Sequence, residues 1–217
     1  MEPFLKPYHL NLIRSQVNLL IGAFYFAGDY RVVDASRESA LHTLYSEIHC
    51  TTPEQRELLT DAGKVRDKDE LKQYLARLEP YVIPFPTITG SEIRKLFPKV
   101  KKLVLPDLDA LDFSKLTYLG WRDIATQSLY VVYRMNGKWI GAECSYVMGP
   151  KNRAYQCTWC QRPHGGDGVA LVTKQIKNRQ IQDGYKVIGN HICLDSSRCN
   201  ATMTDPAEFE KFITTMK

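Results

Sequence analysis

Two cysteine pairs, Cys157-Thr-Trp-Cys160 and Cys193-Leu-Asp-Ser-Ser-Arg-Cys199, constrain this chain more than any other feature. A two-residue gap lets both thiolates of the first pair turn toward one ion from a tight knuckle. A second pair, after 32 intervening residues, can complete a tetrahedron around it. A knuckle, a strand pair, then a second ligand pair leading into a helix is the order of a treble-clef zinc finger. The second gap, five residues, is longer than the usual two to four. The competing reading is buried thiols or a redox pair, but a redox C-x-x-C usually opens a helix in a βαβ setting, which is absent here. Four thiolates close the shell and leave no place for an activated water, so Zn2+ is expected in a structural role and not a catalytic one. His164 and His191 are rival ligands by proximity; with four sulfurs available, both are expected at the surface. Cys50 and Cys144 stand in apolar surroundings and read as core thiols.

Before the cysteines the chain changes character once. Leu10, Ile13, Val17, Leu20 and Phe24 recur at helical spacing up to the break at Gly28-Asp29, and Ala40, Leu41, Leu44, Tyr45 and Ile48 suggest a second helix. Thr52-Pro53-Glu54-Gln55 gives a cap, a proline at the first helical position and a glutamine three after the cap. A further short helix follows Asp67, with Leu71, Tyr74, Leu75 and Leu78 as its stripe. No such helix keeps its apolar face dry alone, so residues 1–87 are expected to form a helical bundle. Pro80, Pro84 and Pro86 then favour an extended connector.

Residues 88–217 are expected to form an α/β domain, with the treble clef over about 147–217, so that the whole is α+β. Ser91–Phe97 reads as one more helix. Ser128–Met135 and Lys138–Val147 read as strands around the turn signal Asn136-Gly137, and Gly168–Lys177 and Gly184–Ile192 as a second pair. Gly165-Gly166-Asp167-Gly168 is expected to be a turn. A last helix follows the cap Asp205, with Phe209, Phe212, Ile213 and Met216 on one side.

Charge is unevenly spread. Residues 1–87 carry −2 and residues 88–217 carry +7, nearer +5 once four thiolates hold a divalent metal, so the second half is the half suited to an anionic partner. No apolar run is long enough to span a bilayer. The stretch Val17–Ala27 imitates a leader core, but Asn11, Gln16 and Asn18 interrupt the helix and no small-x-small cleavage site follows. A cytoplasmic protein is expected. No nucleophile and base can be paired by spacing, so no enzymatic activity is expected either.

Several stretches together resemble the FusB-type fusidic acid resistance proteins, also called elongation factor G-binding proteins. They are Pro7-Tyr8-His9 with Ile13-Arg14, Tyr81-Val-Ile-Pro-Phe85, Lys99-Val-Lys-Lys-Leu-Val-Leu-Pro106, Leu119-Gly-Trp-Arg-Asp-Ile-Ala125, and both cysteine segments. The resemblance implies a helical bundle followed by a zinc-binding treble clef without catalysis. It implies binding to the carboxy-terminal domains of elongation factor G and help in freeing that factor from the ribosome, where fusidic acid traps it. It also implies that the zinc domain makes the contacts. The aromatic on the last helix matches Phe212. The basic and aromatic positions before the third cysteine are Ile188 and His191 here, and the aromatic beside the first cysteine is displaced to Tyr155. The expected partner-binding residues are Tyr155, Tyr185, Lys186, Ile188, His191 and Phe212, with Phe209 in the core and the chain monomeric. The rival expectation is a zinc-dependent RNA- or ribosome-binding module, with Trp159 on the knuckle stacking on a base.

Overall fold

The structure is a computed structural model that describes residues 1–150, 152–164, 168–177 and 184–215. It divides into two compact units, Met1–Pro84 and Phe85–Lys217.

The first unit is built from helices α1 (Pro7–Phe26), α2 (Tyr30–Glu47), α3 (Pro53–Thr60) and α4 (Lys68–Leu78). Leu5, Ile13, Val17, Ile21, Leu44, Ile48, Leu59, Leu78 and Val82 close its core. Asp29 accepts from Arg31 N and so starts α2 well before its apolar stripe. Thr52 caps α3 as expected by accepting from Gln55 N, but the Gln55 amide reaches one residue further back and accepts from Thr51 N at 2.8 Å. Asp67 caps α4 through Asp69 N and Glu70 N. The two ends of the unit meet where Leu5 pairs in parallel with Val82; Ile83 N donates to Leu5 O at 2.8 Å and Leu5 N to Tyr81 O at 3.0 Å.

The second unit begins with α5 (Gly90–Leu96), capped reciprocally by Thr89 and Glu92. Its five-stranded antiparallel sheet has the order β1 (Leu119–Asp123), β2 (Ser128–Met135), β3 (Lys138–Met148), β6 (Val169–Lys177), β7 (Tyr185–Cys193). Asn136 and Gly137 join β2 to β3 with φ of 51° and 75°, the left-handed pair that a tight hairpin demands. A two-stranded ribbon, β4 (Tyr155–Gln156) with β5 (Pro163–His164), carries the first cysteine pair. Helices α6 (Ser196–Thr202) and α7 (Ala207–Thr215) follow the sheet. Met216 and Gly165-Gly166-Asp167 lie outside the described residues.

The sheet separates two cores. On one face Leu129, Val131, Ala142, Cys144, Ala170, Val172 and Ile192 pack with the cysteines, Trp159, Phe209, Phe212 and Ile213. On the other, Leu119, Tyr130 and Val132 pack with Ile93 and Phe97, and among the described residues this cover reaches only the β1–β3 half. The fold is α+β, with no helix among the described residues long and apolar enough to cross a membrane.

One side chain ties α6 to the segment entering β1. Asn200, 2% exposed, accepts from Thr117 N (2.7 Å) and Tyr118 N (3.2 Å) and donates to Tyr118 O (3.0 Å) and Ser196 O (2.9 Å). Asn200→Leu would orphan buried amides and a carbonyl at about 1–3 kcal/mol each. Urea unfolding of the variant should therefore show a loss of about 3 kcal/mol or more.

His9 gives the first unit a pH dependence. Its Nδ1 accepts from Lys6 N at 3.0 Å, and burial, with Lys6 adding, lowers its pKa to about 4. The unfolded chain then binds more protons than the native one between about pH 6.5 and 4, so stability is full above that window and falls through it on acidification. Thermal melts across the window should lose up to about 3 kcal/mol of stability, and His9→Gln should flatten the slope.

Candidate metal centre and docking face

Three local structures deliver the four sulfurs. Cys157 and Cys160 sit in the turn between β4 and β5, where Gln161 N donates to Cys157 O (2.8 Å) and Cys157 N to Arg162 O (3.0 Å). Cys193 ends β7. Asp195 then caps α6, accepting from Ser197 N and Arg198 N, and Cys199 donates the first helical bond to Asp195 O at 3.1 Å. The five-residue gap is thus a strand end, a cap and one helical turn.

All four sulfurs are buried and lie within 4.8 Å of one another. Cys157 Sγ is 3.9 Å from Cys199 Sγ, and Cys160 Sγ is 3.7 Å from Cys193 Sγ. These distances are nearly twice a disulfide bond of about 2.05 Å. They match the edge of about 3.8 Å that a tetrahedron with zinc–sulfur bonds of about 2.3 Å requires. Hydrogen bonds within the cluster, first from Cys157, pull the Cys160 thiol far below the usual range, while contact with Cys157 pushes Cys193 and Cys199 far above it. A first thiolate thus makes its neighbours harder to ionise; a cation is what would let all four do so. The donor set fits zinc, and Cys157, Cys160, Cys193 and Cys199 would hold it.

Beneath the knuckle lies an aromatic floor. Tyr118 stacks on Phe209 at 4.7 Å, and Trp159 stands edge-on to Tyr118 (5.3 Å), Phe209 (4.9 Å) and Phe212 (5.3 Å). Burial, with Cys199 next, holds the Tyr118 phenol neutral far beyond its ordinary range. This floor corrects two expectations. Trp159 is 1% exposed and cannot stack on a base, and Phe212 is 3% exposed and offers a partner no ring surface. α7 lays Phe209, Phe212 and Ile213 together into the core, because residues three and four apart share one helix face. His164 is also buried rather than at the surface, with Nε2 3.6 Å from Cys160 Sγ. Cys144 is a core thiol, pushed up to about 12 by burial; Cys50 is half-buried.

The other expected contact residues divide between the two sheet faces. Tyr185 and His191 share the face left uncovered beyond β3, and Tyr155 stacks on His191 at 4.7 Å with planes 10° apart. Lys186 and Ile188 alternate onto the opposite face, where Ile188 packs on the core and Lys186 is exposed. The open face also carries Val147, Leu171 and Val187, exposed by 61%, 40% and 63%, which the sequence reading passed over. Val147, Leu171 and His191 align as one row across three strands. Period-two alternation on β6 and β7 was the signal available for them.

If the cluster is a structural zinc site, elemental analysis of native protein should find one zinc per chain. Cys199→Ser should lose that metal and melt the second unit's sheet signal, a change worth several kcal/mol.

Comparison with known proteins follows the same division. A family described as "FBP C-terminal treble-clef zinc-finger" matches residues 94–213, and one described as "Elongation factor G-binding protein, N-terminal" matches residues 4–86. A solved structure described as "Structure of the fusidic acid resistance protein FusC" aligns with a TM-score of 0.76 at 23% identity, covering 99% of this chain and 98% of that one. At that identity the likeness speaks for the fold. No curated protein matches in sequence. The first family spans more than half the chain and the second takes up most of the rest, so the chain belongs to the elongation factor G-binding proteins with a C-terminal treble-clef zinc finger.

Proposed function

We propose that this chain binds elongation factor G as a monomer, without catalysis, and promotes its release from the ribosome in the cytoplasm, giving resistance or tolerance to fusidic acid. Membership of the family supports the partner, and the FusC-like fold supports the link to the antibiotic. The observation that carries the reading is the uncovered half of the sheet. There Val147, Leu171, Tyr185 and Val187 stand exposed on the face that also carries the stacked Tyr155–His191 pair, and a bound metal would stiffen the β7 end at Cys193. A surface ordered before contact loses little entropy on docking, so aromatic and aliphatic side chains on it contribute more of their burial to affinity. The carboxy-terminal domains of the factor are the proposed target. Lys186 and Ile188 lie on the far face and would contribute at its edge or not at all, while Phe212 would act from below by supporting Trp159.

A protein that consumes no fuel shifts an equilibrium only by preferring one state of its partner. The chain would therefore favour a conformation of the factor that grips the ribosome less. A preference of about 1–3 kcal/mol would change residence about 5–150-fold. Zinc here would fix the fold of the docking element and take no part in a reaction.

Gel filtration of the chain with purified elongation factor G should give a one-to-one complex. Leu171→Asp combined with Val187→Asp should weaken it at least about tenfold, with the fold unchanged, since both side chains are exposed. The same protein should speed departure of the factor from fusidic acid-stalled ribosomes. Failure to form the complex, together with salt-steep binding to naked RNA, would instead favour an RNA- or ribosome-binding module.

A further inference from the structure

His164 is one of the few buried polar side chains among the described residues, 4% exposed, and it sits on β5 beside the candidate metal centre. Its Nε2 lies 3.6 Å from Cys160 Sγ, and among the described residues its Nδ1 has no partner. A histidine is seldom buried without a bond to hold it, and the sulfur is the bond this one makes. Cys157 Sγ already accepts from Cys193 N at 3.4 Å, so a second donor at Cys160 would bring N–H groups to two of the four sulfurs. Gly168 packs closely on this residue: a Cβ added there would meet His164 Cβ at 3.0 Å.

We propose that His164 is a positioning residue of the metal centre, its Nε2–H donating to the Cys160 thiolate. The inference rests on the zinc reading above and extends it to a residue outside the four-sulfur set. Four thiolates around one divalent ion leave two surplus negative charges, and an N–H aimed at a sulfur takes up part of that charge while fixing the sulfur's direction. Direct ligation is unnecessary, because four sulfurs already lie within 4.8 Å of one another, two of the pairs at 3.9 and 3.7 Å, and can fill a tetrahedral shell. His164 also pairs across the ribbon with Tyr155, whose ring stacks on His191. The same histidine therefore joins the metal centre to the edge of the open face.

Cobalt-substituted full-length protein tests this. His164→Gln keeps an N–H near the Nε2 place, His164→Asn moves it to the Nδ1 place, and His164→Leu removes it. The wild type should show a four-sulfur cobalt spectrum. The Leu and Asn variants should shift the sulfur-to-cobalt charge-transfer band and lose about 10–100-fold in metal affinity against a competing chelator, with Gln recovering most of both. Unchanged band and affinity in the Leu and Asn variants would overturn the proposal, and so would a Gln variant as weak as Asn, which would leave packing alone. A wild-type spectrum of three sulfurs and one nitrogen would overturn it by making His164 a ligand. A wild type that takes up no cobalt would instead remove the metal centre itself. If the Leu variant fails to fold, the Gln and Asn pair still decides.

Discussion

The second unit depends on four buried thiols brought together from places that share no local structure. A turn, a strand end and a helix start each supply part of the set; Thr158 N donating to His191 O and Cys193 N donating to Cys157 Sγ tie the turn to the strand, and the common point draws in the helix start. Without a cation, four close thiols compete for charge; with one, the same closeness becomes a cross-link among three chain segments. Trp159, Tyr118 and Phe209 then pack against a framework that no longer shifts. In a unit whose ribbon has only two residues per strand, hydrogen bonds alone would hold the knuckle poorly.

Much of this was legible in the amino-acid order because it is encoded locally. The cysteine spacing, the cap at Thr52, the helix start after Asp67 and the Asn136-Gly137 turn act over a few residues, and each appears where the sequence puts it. What escaped was set by tertiary neighbours. β1 is not legible as a strand, since Leu119-Gly-Trp-Arg-Asp has too little alternation to declare itself and forms by pairing with β2. α6 begins inside the second cysteine gap and runs on through Cys199 to Thr202. His164 looked like a spare polar residue, and only the ribbon's register brings it behind Cys160. Phe212 and Trp159 resembled contact residues because large aromatics serve docking faces and cores alike, and composition does not distinguish the two.

The sheet shows how one layer serves two purposes. Along β2 and β3, both faces are used for packing, against α5 on one side and the aromatic floor on the other. Beyond β3 none of the described residues continues that cover, and the strands carry exposed side chains on that face. The residues there are not irregular loops but pleated positions held by ladders on β3, β6 and β7, so their spacing is as fixed as that of the core.

That arrangement separates what must be kept from what can change. Alternate residues of β7 face opposite ways: Ile192 belongs to the buried side, and Val187 belongs to the bare one. Selection can therefore rewrite exposed positions of these strands, such as Leu171 and Val187, while Cys193 and the core-facing positions keep the protein standing. Lineages facing different versions of a partner could diverge rapidly in what they recognise, with little penalty in folding, and still share one scaffold.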